Sequence, residues 1–166
     1  MAQDYTITPP IPGDIGWLVG LHGRWYAENY GFGVEFEGIV AAIAGDIMHR
    51  LSPPHVTMRV ARDNEGPLAT LSCDLEDTDA AGRGHIRIVI AEPRARGRGI
   101  ATKLLQLALD DLRSIGAPGA YLNTFKGLDA AKNLYLSAGF QLAKEAAGET
   151  WGVSVTEQRY EIDFNT

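Results

Sequence analysis

A basic, glycine-rich run is the part of this sequence whose residue types are best suited to bind an anion. It reads Arg94-Ala95-Arg96-Gly97-Arg98-Gly99-Ile100-Ala101. Glycine lets the backbone approach a ligand closely and adopt positive φ. The clustered arginines add guanidinium groups that attract negative charge. The run therefore predicts a loop that binds phosphate.

The elements on either side place this run at the start of a helix. Residues 85–91 (HIRIVIA) are mostly branched and apolar, which is typical of a buried strand. Apolar residues then recur at steps of three and four over residues 100–115, which predicts an amphipathic helix that Gly116 can end. The first N–H groups of a helix lack intrahelical partners and the macrodipole is positive there, so an anion is favoured.

The composition is that of an ordinary globular protein. The chain has 166 residues, 45% hydrophobic and 22% charged, and we expect one domain over residues 1–166. The net charge of −6 argues against a general binder of nucleic acid or anionic membranes. The single cysteine, Cys73, excludes an intrachain disulfide and a cysteine-based zinc site. With no apolar leader or long apolar run, we expect a cytoplasmic protein, and we assign no metal site.

The pattern along the chain predicts alternating strands and helices. A short strand precedes two helices, the first capped by Asp14 and the second starting after the breaker segment at residues 29–33. A hairpin turn at residues 63–66 (DNEG) joins the next two strands. Later segments complete the order β-αα-ββ-β-α-β-α-β-β. We therefore predict an α/β (α+β) fold with a single mixed sheet of about seven strands flanked by helices.

Two motifs in this order resemble the GCN5-related N-acetyltransferase (GNAT) superfamily. They are Arg94-x-x-Gly97-x-Gly99 after the fourth strand and, further on, Leu134-Tyr135-x-x-x-Gly139-Phe140. The two N-terminal helices also resemble the acetyltransferase half of proteins that fuse a MarR-type DNA-binding module to a GNAT domain. The GNAT resemblance implies an N-acetyltransferase that uses acetyl-CoA as co-substrate and needs no metal.

The resemblance assigns the predicted anion to the pyrophosphate of acetyl-CoA. It implies that backbone N–H groups of residues 96–102 bind the pyrophosphate and that Arg94, Arg96 or Arg98 adds guanidinium support. The cofactor-binding residues of this loop are then Arg94, Arg96, Gly97, Arg98, Gly99, Ile100, Ala101 and Thr102. The main chain at Ile88, Val89 and Ile90 would pair with the pantetheine arm, and we place Asn123 of the next strand at the cofactor. An N–H of the fourth strand would also stabilise the thioester oxyanion.

Acyl transfer to an amine moves two protons. In this family the motif tyrosine, Tyr135 here, lies beside the CoA sulfur, and its phenol is a candidate acid for the departing thiolate. The acceptor ammonium must lose a proton, since an aliphatic amine has a pKa of roughly 10.

The base is less evident, because many family members place a glutamate on the fourth strand and this chain does not. We expect His85 and Arg87 on one face of that strand, with Ile86, Ile88 and Ile90 on the other. His85 is the candidate base, or else an imidazole at a strand end in solvent. Rival bases lie in the helical region, at Glu28, Glu35 and Glu37.

The loop between the first two helices bounds the acceptor pocket in this family. Tyr30 and Phe32 would form aromatic walls, and Glu35 would attract a cationic amine. Arg87 would hold an anionic group of the acceptor, or else pair within the chain. These residues favour a small-molecule or amino-acid-like amine. The alternatives are a protein acetyltransferase acting on an N-terminus or a lysine, and a catalytically silent sensor that binds acyl-CoA.

The oligomeric state also stays open. In this family the last two strands often build dimers, so a homodimer is one alternative. Val153, Val155 and Tyr160 would lie in such an interface, or equally in the core.

Overall fold

Seven strands form one mixed sheet at the centre of the fold. The computed structural model describes residues 4–164. The strands are β1 (Thr6–Thr8), β2 (Val56–Asp63), β3 (Gly66–Asp74), β4 (Gly84–Ala91), β5 (Gly119–Phe125), β6 (Gln141–Gly148) and β7 (Val155–Asp163). The helices are α1 (Asp14–Tyr30), α2 (Val34–His49), α3 (Ile100–Ser114) and α4 (Asp129–Ser137), with a 3₁₀ turn at Pro93–Ala95. The spatial order is β1-β2-β3-β4-β5-β7-β6, so the predicted class and element order are confirmed.

Helices cover both faces of the sheet and bury two apolar clusters. The α3 cluster contains the apolar stripe of that helix, including Ile100, Leu104, Ala108 and Leu112. The α1–α2 cluster contains Leu18, Phe32, Phe36, Val40 and Ile47 together with Val56 and Met58 of β2. Because strand side chains alternate between faces, β5 contributes Leu122 to the first cluster and Phe125 to the second. Burying one such aliphatic or aromatic side chain stabilises the fold by about 1.5–3 kcal/mol.

Strands β4 and β5 run parallel and separate soon after they begin. They pair at Gly84 with Ala120 and at His85 with Tyr121. Beyond these pairs β4 remains paired only with β3, and β5 remains paired only with β7. Backbone N–H and C=O groups on the two facing edges are left without ladder partners, and such groups need partners from elsewhere.

A bulge in β4 places Ile88 on the opposite face of the sheet from Ile86. Ile88 has a φ of 53°, an outlier for a β-branched residue, and the register with β3 shifts nearby. Ile86 therefore packs in the α3 cluster, whereas Ile88 packs against the α1–α2 cluster. The prediction that Ile86, Ile88 and Ile90 share one face is wrong, because a bulge inverts the alternation that follows it. The buried Ser72 hydroxyl donates to the Arg87 carbonyl at 2.8 Å and supports the bulge.

Asp14 does not cap the first helix as predicted. Gly13 is the N-cap residue, and no side chain bonds to that helix end. The Asp14 carboxylate is buried, accepts the N–H of Ile11 at 2.8 Å and pairs with Arg62 at 2.7 Å. It ties the start of α1 to β2 instead.

The three residues considered for a dimer interface pack inside the chain. Tyr160 is 1% exposed in the α3 cluster, and Val153 and Val155 are half-buried against the α1–α2 cluster. The core alternative is therefore correct for Tyr160, while both alternatives stand for Val153 and Val155, and the homodimer stays a prediction.

Candidate active site

A cleft of about 240 Å³ opens where β4 and β5 separate. The predicted site residues that line it are His85, Arg87, Ile88, Val89, Asn123 and Tyr135. Helices α1 and α2 add a largely apolar wall, and the loop between β6 and β7 adds Thr150 and Trp151. Among the described residues that line the cleft there is no aspartate or glutamate. A base that works from this lining has to be something other than a carboxylate.

The basic run forms a tight turn that leads from β4 into α3. Gly97 and Gly99 have φ values of 73° and 70°, the left-handed region that glycine adopts without strain. In the described chain, the amides of residues 97–99 have no protein acceptor, and those of residues 100–102 open α3, where no intrahelical acceptor exists. The Arg96 amide already donates to the Pro93 carbonyl at 3.2 Å, so the predicted donors begin one residue later, at Gly97.

The three arginines of the run have different partners. Arg94 donates to both carboxylate oxygens of Asp63, at 2.8 and 2.7 Å, and to two carbonyls of the β2–β3 turn. Arg98 pairs with Asp4 at 2.8 Å and approaches Asp63 at 3.4 Å. These guanidiniums hold the pKa of the Asp63 carboxyl down at about 2, with Arg94 as the largest cause.

Arg96 is the arginine of the run that stays available to an anion. It is exposed and lies 5.9 Å from the Trp25 ring centroid, and within residues 4–164 it has no carboxylate partner. Of the three arginines predicted to support the anion, Arg94 and Arg98 are engaged in ion pairs, and Arg96 has none among the described residues.

Tyr135 lies at the inner end of the cleft on α4. It is 5% exposed and packs edge-on against Phe140, with ring centroids 6.0 Å apart. Burial, with a smaller contribution from the Tyr26 phenol, raises the pKa of Tyr135 well above its ordinary value. Its hydroxyl has no hydrogen-bond partner in the described part of the protein. A phenol that stays protonated and unpaired beside an open cleft is a proton donor without a protein acceptor.

Two residues of α1, His22 and Tyr26, also line the cleft. They lie four residues apart on α1, so they share one face, and their rings stack at 5.9 Å with an interplanar angle of 5°. His22 Nδ1 bonds the Leu18 carbonyl at 2.7 Å, so Nδ1 carries the hydrogen and Nε2 is an acceptor. Burial lowers the pKa of His22 to about 4. The i, i+4 spacing of these rings is the signal that could have indicated them.

His85 is held by a residue that sequence reasoning did not single out. Its Nδ1 lies 2.8 Å from Oδ2 of Asp77, in the segment before β4. Its ring stacks on Tyr121 at 4.3 Å. Burial is the largest cause of a lowered His85 pKa, while Asp77 raises it, so the ring is neutral near pH 7. The alternative of a strand-end imidazole in solvent is wrong, since the side chain is only 12% exposed.

The residues predicted for the acceptor pocket divide between the cleft and other environments. Phe32 is 4% exposed within the α1–α2 cluster, so its predicted role as an accessible wall is wrong. Tyr30 is half-buried and its hydroxyl donates to the Gly127 carbonyl at 3.2 Å. Glu35 is exposed beside Gly152 and is not among the residues lining the cleft. Arg87 lines the cleft and lies 3.3 Å from Asp77.

A family model identifies the protein family of this chain. The model of the acetyltransferase (GNAT) family matches residues 23–140, more than half of the chain. The chain belongs to this family. The predicted co-substrate, acetyl-CoA, is thereby confirmed, and the free amides at residues 97–102 and the open edge of β4 fit its pyrophosphate and pantetheine arm.

The curated proteins similar to this GNAT chain include one named as an N-alpha-acetyltransferase. The chain is 34% identical over 82 residues to N-alpha-acetyltransferase 30 of Schizosaccharomyces pombe, covering 49% of this chain and 55% of that protein. The match therefore spans about half of each protein.

Solved structures share the GNAT fold at low sequence identity. One is the NatC complex bound to Gag peptide and CoA, with a TM-score of 0.77, 19% identity, and coverage of 98% of this chain and 100% of that one. Another is yncA of Salmonella typhimurium with its cofactor acetyl-CoA, with a TM-score of 0.73, 14% identity, and coverage of 99% and 96%. The narrower resemblance of the GNAT chain to MarR-type fusions stays a prediction.

Two negative observations apply to residues 4–164 of this GNAT chain. None of the helices in this range has the length and hydropathy of a membrane-spanning segment. No three His, Cys, Asp or Glu side chains in that range gather closely enough to hold a metal ion.

Proposed function

We propose that this chain is an acetyl-CoA-dependent N-acetyltransferase that acetylates the amine of a small-molecule or amino-acid-like acceptor by direct attack on the thioester. The observation that carries the proposal is the cleft between β4 and β5, which has an unpaired phenol, Tyr135, at its inner end. A loop of free amides leads from β4 into α3 nearby. The two features suit a phosphate-bearing acyl donor whose thioester enters between the strands.

The reaction needs one group to accept a proton and one to donate a proton. His85, neutral and lining the cleft, takes a proton from the acceptor ammonium, directly or through water. The free amine then attacks the thioester carbonyl, a C–N bond forms, and a backbone N–H of the open β4 edge stabilises the oxyanion. As the C–S bond breaks, Tyr135 gives its proton to the CoA thiolate.

The lining of the cleft indicates the character of the acceptor. Phe36, Ile39, Ile43 and Phe125 make most of the wall on the α1–α2 side apolar or aromatic. The guanidinium of Arg87 is the cationic group of the lining, and Asp77 partly balances it. The cleft therefore suits an amine with an apolar body, and a carboxylate on that body could reach Arg87.

A second candidate acceptor is the N-terminal amine of a polypeptide. The observation that favours it is the identity of 34% over 82 residues to N-alpha-acetyltransferase 30. The chemistry of Tyr135 and His85 would be the same in both cases.

An acceptor panel tests the proposal. Purified protein and acetyl-CoA are incubated with amino acids, aromatic amines, polyamines, aminoglycosides and short peptides, and acetylated product is identified by mass spectrometry alongside release of the CoA thiol. We expect one class of small amines to give product above the rate of acetyl-CoA hydrolysis. Product with peptides alone would assign the second candidate. Tight acetyl-CoA binding without product from any acceptor would replace both with a silent sensor.

A further inference from the structure

We propose that Asp77 is a positioning residue that makes a His–Asp pair with His85 and so lets an imidazole do the work of the fourth-strand glutamate that this chain lacks. The inference rests on the proposed function and adds to it a residue outside both motifs. Asp77 belongs to the segment that joins β3 to β4.

The contact between the two side chains fixes the tautomer of the ring. His85 Nδ1 lies 2.8 Å from Oδ2 of Asp77. A carboxylate only accepts, so Nδ1 carries the hydrogen and Nε2 keeps its lone pair. In the described structure Nε2 has no protein partner, and His85 lines the cleft. The ring is thus set up with a proton acceptor available to the cleft.

A second set of contacts holds both members of the pair in place. The Tyr121 ring stacks against His85 at 4.3 Å with an interplanar angle of 17°. The Tyr121 hydroxyl donates to the main-chain carbonyl of Asp77 at 3.0 Å. The guanidinium of Arg159 lies 4.1 Å from the centroid of the same tyrosine ring. One aromatic side chain therefore supports both the imidazole and the segment that carries its carboxylate.

The main chain of Asp77 is also held by a buried carboxylate. The Asp77 N–H donates to Oδ1 of Asp74 at 3.1 Å. Asp74 is 0% exposed and is itself paired with Arg50. The segment is thus tied to β3 on one side and to β5 on the other. A carboxylate on such a segment can orient a ring more strictly than one on a free loop.

Burial keeps the His85 ring neutral near pH 7 although two carboxylates lie close to it. Burial and Arg87 lower the pKa of His85, while Asp77 and Asp74 raise it. Arg87 also approaches Oδ2 of Asp77, at 3.3 Å. The ring can then bind a proton from the acceptor and pass it to water, with the Asp77 carboxylate stabilising the imidazolium while it exists.

No rival base has equivalent support. Glu28, Glu35 and Glu37 are not among the described residues that line the cleft. His22 lines it, but its Nδ1 bonds a neutral carbonyl, that of Leu18. A neutral carbonyl orients a ring but stabilises its charged form less than a carboxylate does.

The test combines NMR of the full chain with steady-state kinetics. Nitrogen-15 spectra of the imidazole groups should show His85 with hydrogen on Nδ1 at neutral pH. Asp77→Ala should lower its pKa and admit the other tautomer. With the best amine of the acceptor panel, Asp77→Ala and Asp77→Asn should lower kcat about 10- to 100-fold. The KM values for acetyl-CoA and amine should change by no more than about twofold, and the acidic limb of the kcat profile should move to lower pH with Asp77→Ala.

Glu76→Gln is the matched control, because Glu76 is the adjacent carboxylate and binds Arg50 instead of a histidine. It should leave the His85 tautomer and kcat unchanged. If the Asp77 variants lower kcat no more than Glu76→Gln, or leave the His85 tautomer and pKa as in the wild type, the inference is overturned while the proposed function stands. If the wild type transfers acetyl to no amine or peptide, the proposed function fails and this inference fails with it.

Discussion

Replacing Arg96 by alanine should weaken CoA binding, whereas replacing Arg94 should not. Both arginines belong to the motif that resembles a pyrophosphate-binding loop, and the sequence does not distinguish them. The structure does, because Arg94 donates to Asp63 and to the carbonyls of Gly66 and Pro67. Arg96 is exposed beside Trp25 and has no carboxylate partner in the described chain.

The size of the effect follows from the contacts that each side chain can make. A hydrogen bond to a charged group contributes about 1.5–3 kcal/mol. Because Arg96 is solvent-exposed, we take the lower end, which corresponds to roughly a tenfold increase in Kd. For Arg94 to contact phosphate, it would have to leave its contacts with Asp63 and the β2–β3 turn. We therefore expect its alanine variant to bind CoA within about twofold of the wild type and to have a lower Tm.

Isothermal titration calorimetry with CoA measures both variants directly, and it needs no knowledge of the acceptor. Titration with pantetheine, which lacks the pyrophosphate, is the ligand control, and neither variant should change its affinity. Equal losses of CoA affinity in the two variants, or a larger loss with Arg94→Ala, would contradict the assignment of the free guanidinium to Arg96.

Three further predictions follow from single side chains. Tyr135→Phe should lower kcat by about 10²-fold with little change in CoA affinity, measured by thiol release and calorimetry. Because His22 has a pKa of about 4 in the fold and 6.5 in the unfolded chain, the unfolded state binds more protons between these values. The free energy of unfolding should therefore be lower by about 3 kcal/mol at pH 4 than above pH 6.5. His22→Asn should remove this pH-dependent loss, measured by denaturant unfolding at a series of pH values. Gly119→Ala should lower stability by at least about 1–3 kcal/mol, since its Cβ would meet the Ile162 carbonyl oxygen, whereas Gly38→Ala in open space on α2 should be neutral or stabilising.

The order of elements could be predicted because each has a clear local pattern. Apolar residues at helical spacing over residues 100–115 predicted α3, and the turn at residues 63–66 predicted the hairpin that the structure contains. The two family motifs likewise lie where a strand meets a helix and on α4. Local periodicity and turn chemistry are properties of short segments, so a single sequence carries them.

The partners of charged and aromatic side chains could not be predicted, because they come from distant parts of the chain. Asp63 engages Arg94 across 31 positions, and the Tyr121 hydroxyl reaches the Asp77 carbonyl across 44. The bulge at Ile88 also has no local signal, since a β-branched residue at positive φ contradicts its own preference. Supporting contacts such as the Ser72 hydroxyl on the Arg87 carbonyl depend on register, which a strand pattern alone does not give.

A crystal structure of the protein with acetyl-CoA tests the central claim most directly. The account predicts pyrophosphate oxygens on the amides of residues 97–102, the pantetheine arm along the open edge of β4, and the thioester sulfur within hydrogen-bond reach of the Tyr135 hydroxyl. Acetyl-CoA bound elsewhere, or a thioester outside the cleft between β4 and β5, would contradict it.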